Sequence, residues 1–262
     1  MTYSNFAAWR DRKLTETPDV SVVIPAYDER DRIVPTIGAI SAHLCSSGLT
    51  WELIVSDDGS GDGTADLVRS LRLANASVLE PGVNRGKGAA VRDGVIAAAG
   101  RCILFTDADM STPIEEFDRL FEAITRGAGI AVASRAADGA EERGRGYGRT
   151  VLSAALRGGV RRATGVRVKD TQCGFKLFTR ESAHALFQAA RVDGFSFDLE
   201  ILWLAQRWGL EVAEVPVRWF EAPGSKVRAG RESLRFLGDV AALRYRDIRG
   251  AYSSHRIAEA IA

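Results

Sequence analysis

The 262-residue sequence predicts an α/β domain with a mostly parallel sheet. Its composition, 46% hydrophobic and 26% charged residues, is ordinary for a globular chain with a sizeable core. Short β-branched and aliphatic runs alternate with helical stretches, which is typical of parallel strands joined by crossover helices. The runs predicted as strands are 20–24, 53–56, 77–79, 102–106 and 130–133.

A polar or glycine-rich cluster follows each of these runs. In chain order the clusters are Pro25-Ala26-Tyr27-Asp28-Glu29, Asp57-Asp58-Gly59-Ser60, Asn84-Arg85-Gly86-Lys87-Gly88, Asp107-Ala108-Asp109 and Ser134-Arg135. Ligands of parallel α/β sheets bind beyond the carboxyl ends of the strands. We therefore expect the clusters to converge on one edge of the sheet.

The remaining elements are expected from local signals. Thr112-Pro113-Ile114-Glu115 combines a capping box with proline at the first helical position, so a helix is expected to begin there. Further strands are predicted at 176–178 and 210–219, and helices at 197–208 and 231–245, with a helical stretch at 150–163. The expected organisation is one domain over 1–262, with an N-terminal extension at 1–18 and a helical C-terminal tail at 228–262.

Charge and cysteine usage limit the classes of partner. The 35 basic and 34 acidic residues nearly cancel, so no overall field favours nucleic acid, and no nucleic-acid partner is expected. Cys45, Cys102 and Cys173 lack the spacing of a disulfide framework or a zinc site. With no signal-peptide pattern and no apolar stretch suited to a bilayer, the chain is expected to be cytoplasmic.

Asp107 and Asp109 are the candidate metal ligands. In extended backbone, residues two apart place their side chains on the same side. Mg²⁺ and Mn²⁺ take oxygen ligands, often carboxylates together with substrate phosphates. The pattern Asp-x-Asp is common, however, and equally fits a solvated pair at a strand end.

Two other clusters have both a functional and a structural interpretation. One of the two acids, Asp57 or Asp58, could accept hydrogen bonds from a nucleobase or ribose, but the acids and glycine of 57–60 also suit a plain turn. The segment 84–88 is similar to a phosphate-binding loop, yet it lacks the spacing of a P-loop and would also serve as a basic turn before a helix.

Together with three C-terminal segments, the clusters resemble glycosyltransferase family 2. Those segments are Asp170-Thr171-Gln172-Cys173-Gly174-Phe175-Lys176-Leu177-Phe178, Phe197-Asp198-Leu199-Glu200 and Gly224-Ser225-Lys226. They narrow the resemblance to polyprenyl-phosphate glycosyltransferases, and the sequence is most similar to dolichyl-phosphate glucosyltransferases. The resemblance runs in family order from about Val20 to Val227.

The resemblance implies a glycosyltransferase A (GT-A) fold. It also implies inverting transfer of a hexose onto a polyprenyl phosphate, and it favours glucose from UDP-glucose as that hexose. It implies Mg²⁺ or Mn²⁺ as the cofactor, held by Asp107 and Asp109. The residues implied to bind the nucleotide sugar are Pro25, Tyr27, Glu29, Asp57, Lys87 and Asp107. The residues implied to act in catalysis are Asp109, Arg135, Asp170 and Lys226. Arg135 and Lys226 would face phosphate charge, whereas Asp170 would lie near the acceptor or simply cap a loop.

The stretch from Arg143 to Lys169 departs from this family pattern. It contains many basic residues and no acidic one, with a short apolar stripe at Val151, Leu152, Leu156 and Val160. Such a stretch is expected either to contact the inner face of the membrane peripherally or to form a solvated helix.

Three alternatives to this function stay open at this point. The first is the same donor chemistry with a soluble acceptor. The second is a sugar nucleotidyltransferase, which would need its glycine-rich turn directly after the first strand, where Pro25-Ala26-Tyr27 stands instead. The third is a homologue that binds nucleotide without turnover, which the intact acidic and basic clusters disfavour.

Overall fold

The structure is a computed structural model that describes residues 3–143, 164–221 and 229–252. Its strands are β1 (Val20–Ala26), β2 (Trp51–Asp57), β3 (Ala76–Leu79), β4 (Cys102–Thr106), β5 (Ile130–Ser134), β6 (Glu141–Arg143), β7 (Phe175–Thr179), β8 (Val212–Pro216) and β9 (Arg218–Phe220). Its helices are α1 (Tyr3–Asp11), α2 (Arg30–Ser47), α3 (Thr64–Ser70), α4 (Lys87–Ala97), α5 (Phe117–Thr125), α6 (Arg180–Ala189), α7 (Phe197–Arg207) and α8 (Ala229–Ile248).

Within the described residues, seven strands form the central sheet in the order β3-β2-β1-β4-β7-β5-β8. All neighbouring strands are parallel except β7, which runs antiparallel to both β4 and β5. The predicted α/β class with a mostly parallel sheet is therefore confirmed. The predicted strand at 210–219 divides at Val217, because β8 pairs with β5 whereas β9 pairs with β6 in a separate two-stranded sheet.

Two apolar layers cover the faces of the sheet. Successive side chains of a strand point to opposite faces, so Val22 of β1 packs in one layer and Val23 in the other. Helices α2 and α5 cover the Val22 face, and α4, α6 and α7 cover the Val23 face. Buried Phe117, Leu120 and Ile124 follow the helical period along α5, which explains how this amphipathic segment folds onto the sheet.

The helix predicted to begin at Thr112 begins differently. Pro113 has an extended backbone with ψ of 144°, and a short 3₁₀ turn at Ile114–Glu116 leads into α5. The Thr112 hydroxyl lies 3.6 Å from the sulfur of Cys173 rather than capping a helix. The predicted capping box is therefore wrong, because the tertiary contact with Cys173 takes the hydroxyl that the local pattern assigned to the backbone.

Candidate active site

The carboxyl ends of β1, β2 and β4 meet at one edge of the sheet. Ala26 of β1 pairs with Asp57 of β2, and Asp107 directly follows β4. The first turn of α4 reaches the same edge, where the Lys87 Nζ lies 2.7 Å from Asp107 Oδ1. The expected convergence of the clusters after β1, β2 and β4 with the 84–88 loop is thus what the structure shows.

One carboxylate oxygen of Asp57 is hydrogen-bonded to the backbone, whereas the other, called the open oxygen below, has no partner among the described residues. Its Oδ1 accepts hydrogen bonds from the backbone N–H groups of Gly59 at 3.0 Å and Ser60 at 2.7 Å. Its Oδ2 is buried and has no hydrogen-bond partner within the described part of the chain. A buried carboxylate oxygen without a partner is costly, so this atom is suited to accept a hydrogen bond from a ligand.

The other residues predicted to bind the nucleoside lie around Asp57. Pro25 is buried near the end of β1, and the Tyr27 side chain just beyond it is 45% exposed. Glu29 forms an ion pair with Arg32 at 2.7 Å at the start of α2. The strand end therefore presents a mixed apolar and acidic surface beside the open oxygen.

Asp58, the other acid of this cluster, fixes the glycine-rich loop before α4. Its two carboxylate oxygens accept hydrogen bonds from the backbone N–H groups of Arg85 and Gly86, both at 2.8 Å. Gly59 has a φ of 80°, and a Cβ there would lie 2.9 Å from the backbone nitrogen of Asn84. The turn after β2 and the loop 84–88 are thus built as one unit.

The loop also packs tightly against the segment that precedes α7. A Cβ added to Gly86 would lie 2.5 Å from the carbonyl oxygen of Asp193, and one added to Gly88 would lie 2.6 Å from that of Val192. The Ala89 N–H donates to the same Asp193 carbonyl at 3.2 Å. Both glycines are therefore required by the close approach of the two backbones. This packing positions the start of α4, where Lys87 lies.

The predicted metal ligands lie in a turn rather than in a strand. β4 ends at Thr106, and Ala108 and Asp109 lie in a turn, so the extended backbone expected for this pair is wrong. Asp107 is positioned instead by a backbone hydrogen bond to Gly174 at 3.0 Å and by Lys87. The Asp109 Oδ1 accepts a hydrogen bond from the Ser111 N–H at 2.9 Å.

These carboxylates fit a divalent ion only together with ligand oxygens. Among the described residues, no three histidine, cysteine, aspartate or glutamate side chains form a metal-binding group. Asp107 and Asp109 supply hard oxygen donors, and Mg²⁺ is commonly held by one or two carboxylates plus substrate phosphates. Burial lowers the pKa of Lys87, but the charges of Asp107 and Asp198 more than offset it, so its pKa lies above the ordinary value. The carboxylates at this edge of the sheet therefore favour a positive charge beside them.

Arg135 and Asp170 form a buried two-pronged ion pair. The Arg135 Nε donates to Oδ2 of Asp170 at 2.6 Å, and Nη2 donates to Oδ1 at 2.8 Å. Burial alone would raise the pKa of Asp170, but the guanidinium outweighs it and holds that pKa at about 2. Arg135 also lies over the ring of Trp219, 5.4 Å from its centroid. Both oxygens of Asp170 are thus engaged in positioning Arg135.

Two acids of α7 have contacts that the sequence did not indicate. The carboxylate of Asp198 forms an ion pair with Lys176 of β7 at 2.5 Å. Glu200 accepts hydrogen bonds from the backbone N–H groups of Arg191 at 2.9 Å and Val192 at 2.8 Å, and from the Tyr252 hydroxyl at 2.5 Å. Glu200 therefore supports the segment that packs against the glycine-rich loop.

Other predictions concern residues outside this description. Lys226 lies in 222–228, and most of the stretch from Arg143 to Lys169 lies in 144–163, both outside the described residues. The predicted membrane contact has no support in the rest of that stretch. Among the helices that are described, none is both long and apolar enough to cross a bilayer.

Comparison with known sequences gives one consistent family. The sequence model of the family described as "Glycosyl transferase family 2" matches residues 21–187. Relatives described as dolichyl-phosphate beta-glucosyltransferase are 34% identical in Dictyostelium discoideum, 37% in Drosophila melanogaster and 33% in Homo sapiens. These matches cover 89%, 89% and 90% of this chain and 76%, 77% and 78% of the relatives, in the same order.

Solved structures agree on the fold. Glucosyl-3-phosphoglycerate synthase from Mycobacterium tuberculosis, crystallised with Mn²⁺, UDP and glucosyl-3-phosphoglycerate, matches with a TM-score of 0.64 and 22% identity, covering 91% of this chain and 82% of that one. Mannosyl-3-phosphoglycerate synthase from Rubrobacter xylanophilus matches with a TM-score of 0.63 and 20% identity, covering 88% and 74%. The predicted GT-A fold is confirmed, and the chain belongs to glycosyltransferase family 2.

Proposed function

We propose that this chain transfers glucose from UDP-glucose to a polyprenyl phosphate, with Mg²⁺ or Mn²⁺ as cofactor. One observation supports this most. The sheet edge brings the open oxygen of Asp57 together with the Lys87 and Asp107 pair, in a chain 33% to 37% identical to three dolichyl-phosphate beta-glucosyltransferases. A nucleoside diphosphate needs both features, an acceptor for its base or ribose and positive charge for its phosphates.

The donor nucleoside occupies the end of β1 and β2 in this proposal. Asp57 Oδ2 accepts a hydrogen bond from the base or ribose, which relieves a penalty of about 1–3 kcal/mol for an unsatisfied buried polar group. Pro25, Tyr27 and Glu29 line the nucleoside, with the exposed Tyr27 ring at the entrance. The diphosphate then extends along the edge toward Lys87.

We expect the metal ligands and two lysines to hold the leaving diphosphate. Asp109, with Asp107, would hold the divalent ion, which when bound supplies Lewis-acid stabilisation of the leaving group. Lys87 lies beside Asp107 as a partly buried ammonium, with its side chain 21% exposed. Lys226 adds a further positive charge in the proposal. Fixed charges of this kind stabilise the negative charge that develops on the departing UDP.

The acceptor phosphate is the nucleophile. One of its oxygens attacks the anomeric carbon from the face opposite UDP, the bond from that carbon to the diphosphate oxygen breaks, and the configuration inverts. A phosphate monoester has a second pKa near ~6 and is largely ionised at neutral pH, so it attacks without a general base. Asp170 uses both oxygens on Arg135, which in turn would face the acceptor phosphate.

A panel of nucleotide sugars tests the donor and the acceptor class together. Purified protein with Mn²⁺ is incubated with UDP-glucose, UDP-galactose or GDP-mannose, and released nucleotide is measured with polyprenyl phosphate, with a soluble alcohol acceptor, or with neither. We expect release from UDP-glucose to be fastest and to depend on polyprenyl phosphate. Release that depends instead on the soluble acceptor would contradict polyprenyl phosphate as the acceptor. Equal release from all three nucleotide sugars would contradict UDP-glucose as the donor.

A further inference from the structure

A buried ion pair joins Lys176 of β7 to Asp198 of α7. The Lys176 Nζ is 2.5 Å from Asp198 Oδ1, and the two side chains are 1% and 5% exposed. The same Nζ also donates to the Cys173 carbonyl at 2.6 Å. A buried ion pair often gives no more stability than an apolar pair of the same size. The pair therefore calls for an explanation other than stability.

This ion pair adjoins the one between Lys87 and Asp107. Both ammonium groups lie over the ring of Phe105, at 5.5 Å for Lys87 and 5.8 Å for Lys176. Phe105 and Lys176 are also directly paired across β4 and β7. Two ammonium groups and two carboxylates thus surround one phenyl ring, and Asp198 acts electrostatically on both lysines.

A role at the start of α7 explains only part of the placement of the Asp198 side chain. The residue lies in the first turn of α7, where a carboxylate is stabilised by the helix dipole. An exposed carboxylate would serve that purpose, however, whereas this one is buried against Lys176. The dipole therefore leaves the buried contact with Lys176 unexplained.

We propose that Lys176 is a positioning residue for the donor site, because by neutralising Asp198 it leaves Lys87 to pair with Asp107 and to meet the donor diphosphate. Without Lys176, Asp198 would be a buried carboxylate lacking its partner, and Lys87 is the neighbouring cation. A lysine side chain is flexible enough to turn toward such a charge. Lys87 would then leave Asp107, and the diphosphate would lose a cation.

The inference rests on the proposed function, since the ligand is taken to be a nucleoside diphosphate. It is tested by calorimetric titration of UDP in the presence of Mn²⁺ into the wild type, Lys176→Met, Asp198→Asn and the double variant. We expect Lys176→Met to weaken UDP binding about tenfold, as contacting charges typically couple. Asp198→Asn and the double variant should stay within about threefold of the wild type, since neither leaves a carboxylate at position 198 to draw Lys87 away from Asp107.

The difference in UDP affinity expected between Lys176→Met and Asp198→Asn separates a positioning role from a purely stabilising one. If the ion pair only stabilised the fold, removing Lys176 and removing Asp198 would lower the UDP affinity equally. Leu44→Ala, which opens a cavity in the layer on the opposite face of the sheet, controls for destabilisation and should leave UDP affinity unchanged. If Lys176→Met fails to fold, Asp198→Asn still decides, because a tenfold loss there contradicts the inference.

The outcomes also distinguish the inference from the function. Equal UDP affinity of the wild type and Lys176→Met would overturn the inference and leave the proposed donor site standing. Failure of the wild type to bind UDP would overturn the proposed function, and the inference with it.

Discussion

Replacing Asp109 by asparagine is expected to lower kcat by roughly 10²- to 10³-fold, the size of effect seen when one preorganised charge-stabilising group is lost. The side chain keeps its shape and its hydrogen bond from Ser111, which the amide oxygen still accepts. What it loses is the negative charge that would hold a divalent ion against the donor diphosphate. The measurement is single-turnover glucosyl transfer at saturating UDP-glucose with increasing Mn²⁺.

The matched control is Asp66→Asn, which makes the same change on an exposed face of α3. The Asp66 side chain is 87% exposed and pairs only at the surface with Arg69, so its variant should transfer at the wild-type rate. Full wild-type activity in excess chelator would contradict the metal assignment. Asp109→Asn with the rate of Asp66→Asn would contradict the role of this residue.

Replacing Asp170 by asparagine is expected to destabilise the protein by about 3 kcal/mol, yet to leave measurable transfer. The stability loss follows because removing one partner of a buried ion pair leaves an uncompensated charge, here that of Arg135. Transfer persists because an ionised phosphate acceptor needs no proton removed during attack. For an alcohol acceptor, a missing general base would cost about 10² to 10⁴ in rate. An Asp170→Asn enzyme that binds donor and acceptor normally but is as inactive as Asp109→Asn would contradict the mechanism.

The same ion pair predicts a pH dependence of stability. The pKa of Asp170 is about 2 in the folded protein, below its value of about 3.9 in an unfolded chain. A lowered folded-state pKa contributes stability that is complete above the unfolded value and is lost as the pH falls toward the folded one. Urea unfolding of the wild type should therefore lose about 2 kcal/mol between about pH 4 and about pH 2 that Asp170→Asn does not lose. Identical pH profiles for the two proteins would contradict the assigned ion pair.

The parallel part of the sheet could be predicted from sequence because its signals are local. The runs in β1, β2, β4 and β5 are β-branched and aliphatic, and each is followed by polar residues that mark its end. The antiparallel insertion of β7 between β4 and β5 could not be predicted, because strand pairing over such a sequence separation leaves no local pattern. For the same reason the Thr112 hydroxyl was assigned to a helix cap instead of to Cys173.

The candidate site was predictable where its residues follow strands, and not where a contact joins segments that lie far apart in the sequence. Asp57 and Asp107 were identified because carboxyl ends of neighbouring strands share an edge. Lys176 and Asp198 were not, although each is a charged residue within an otherwise apolar run, which is a usable sign of a buried charge. Their pairing joins a strand to a helix and could be seen only in three dimensions.

The most direct test of the central claim follows the sugar itself. UDP-glucose labelled in its glucose is incubated with the protein, Mn²⁺ and polyprenyl phosphate, and the organic and aqueous phases are then separated and counted. We expect label to enter the organic phase in step with UDP release, to be recovered as glucose after mild acid hydrolysis, and to enter roughly 10²- to 10³-fold more slowly with Asp109→Asn. UDP release that proceeds while all label stays in the aqueous phase would contradict it.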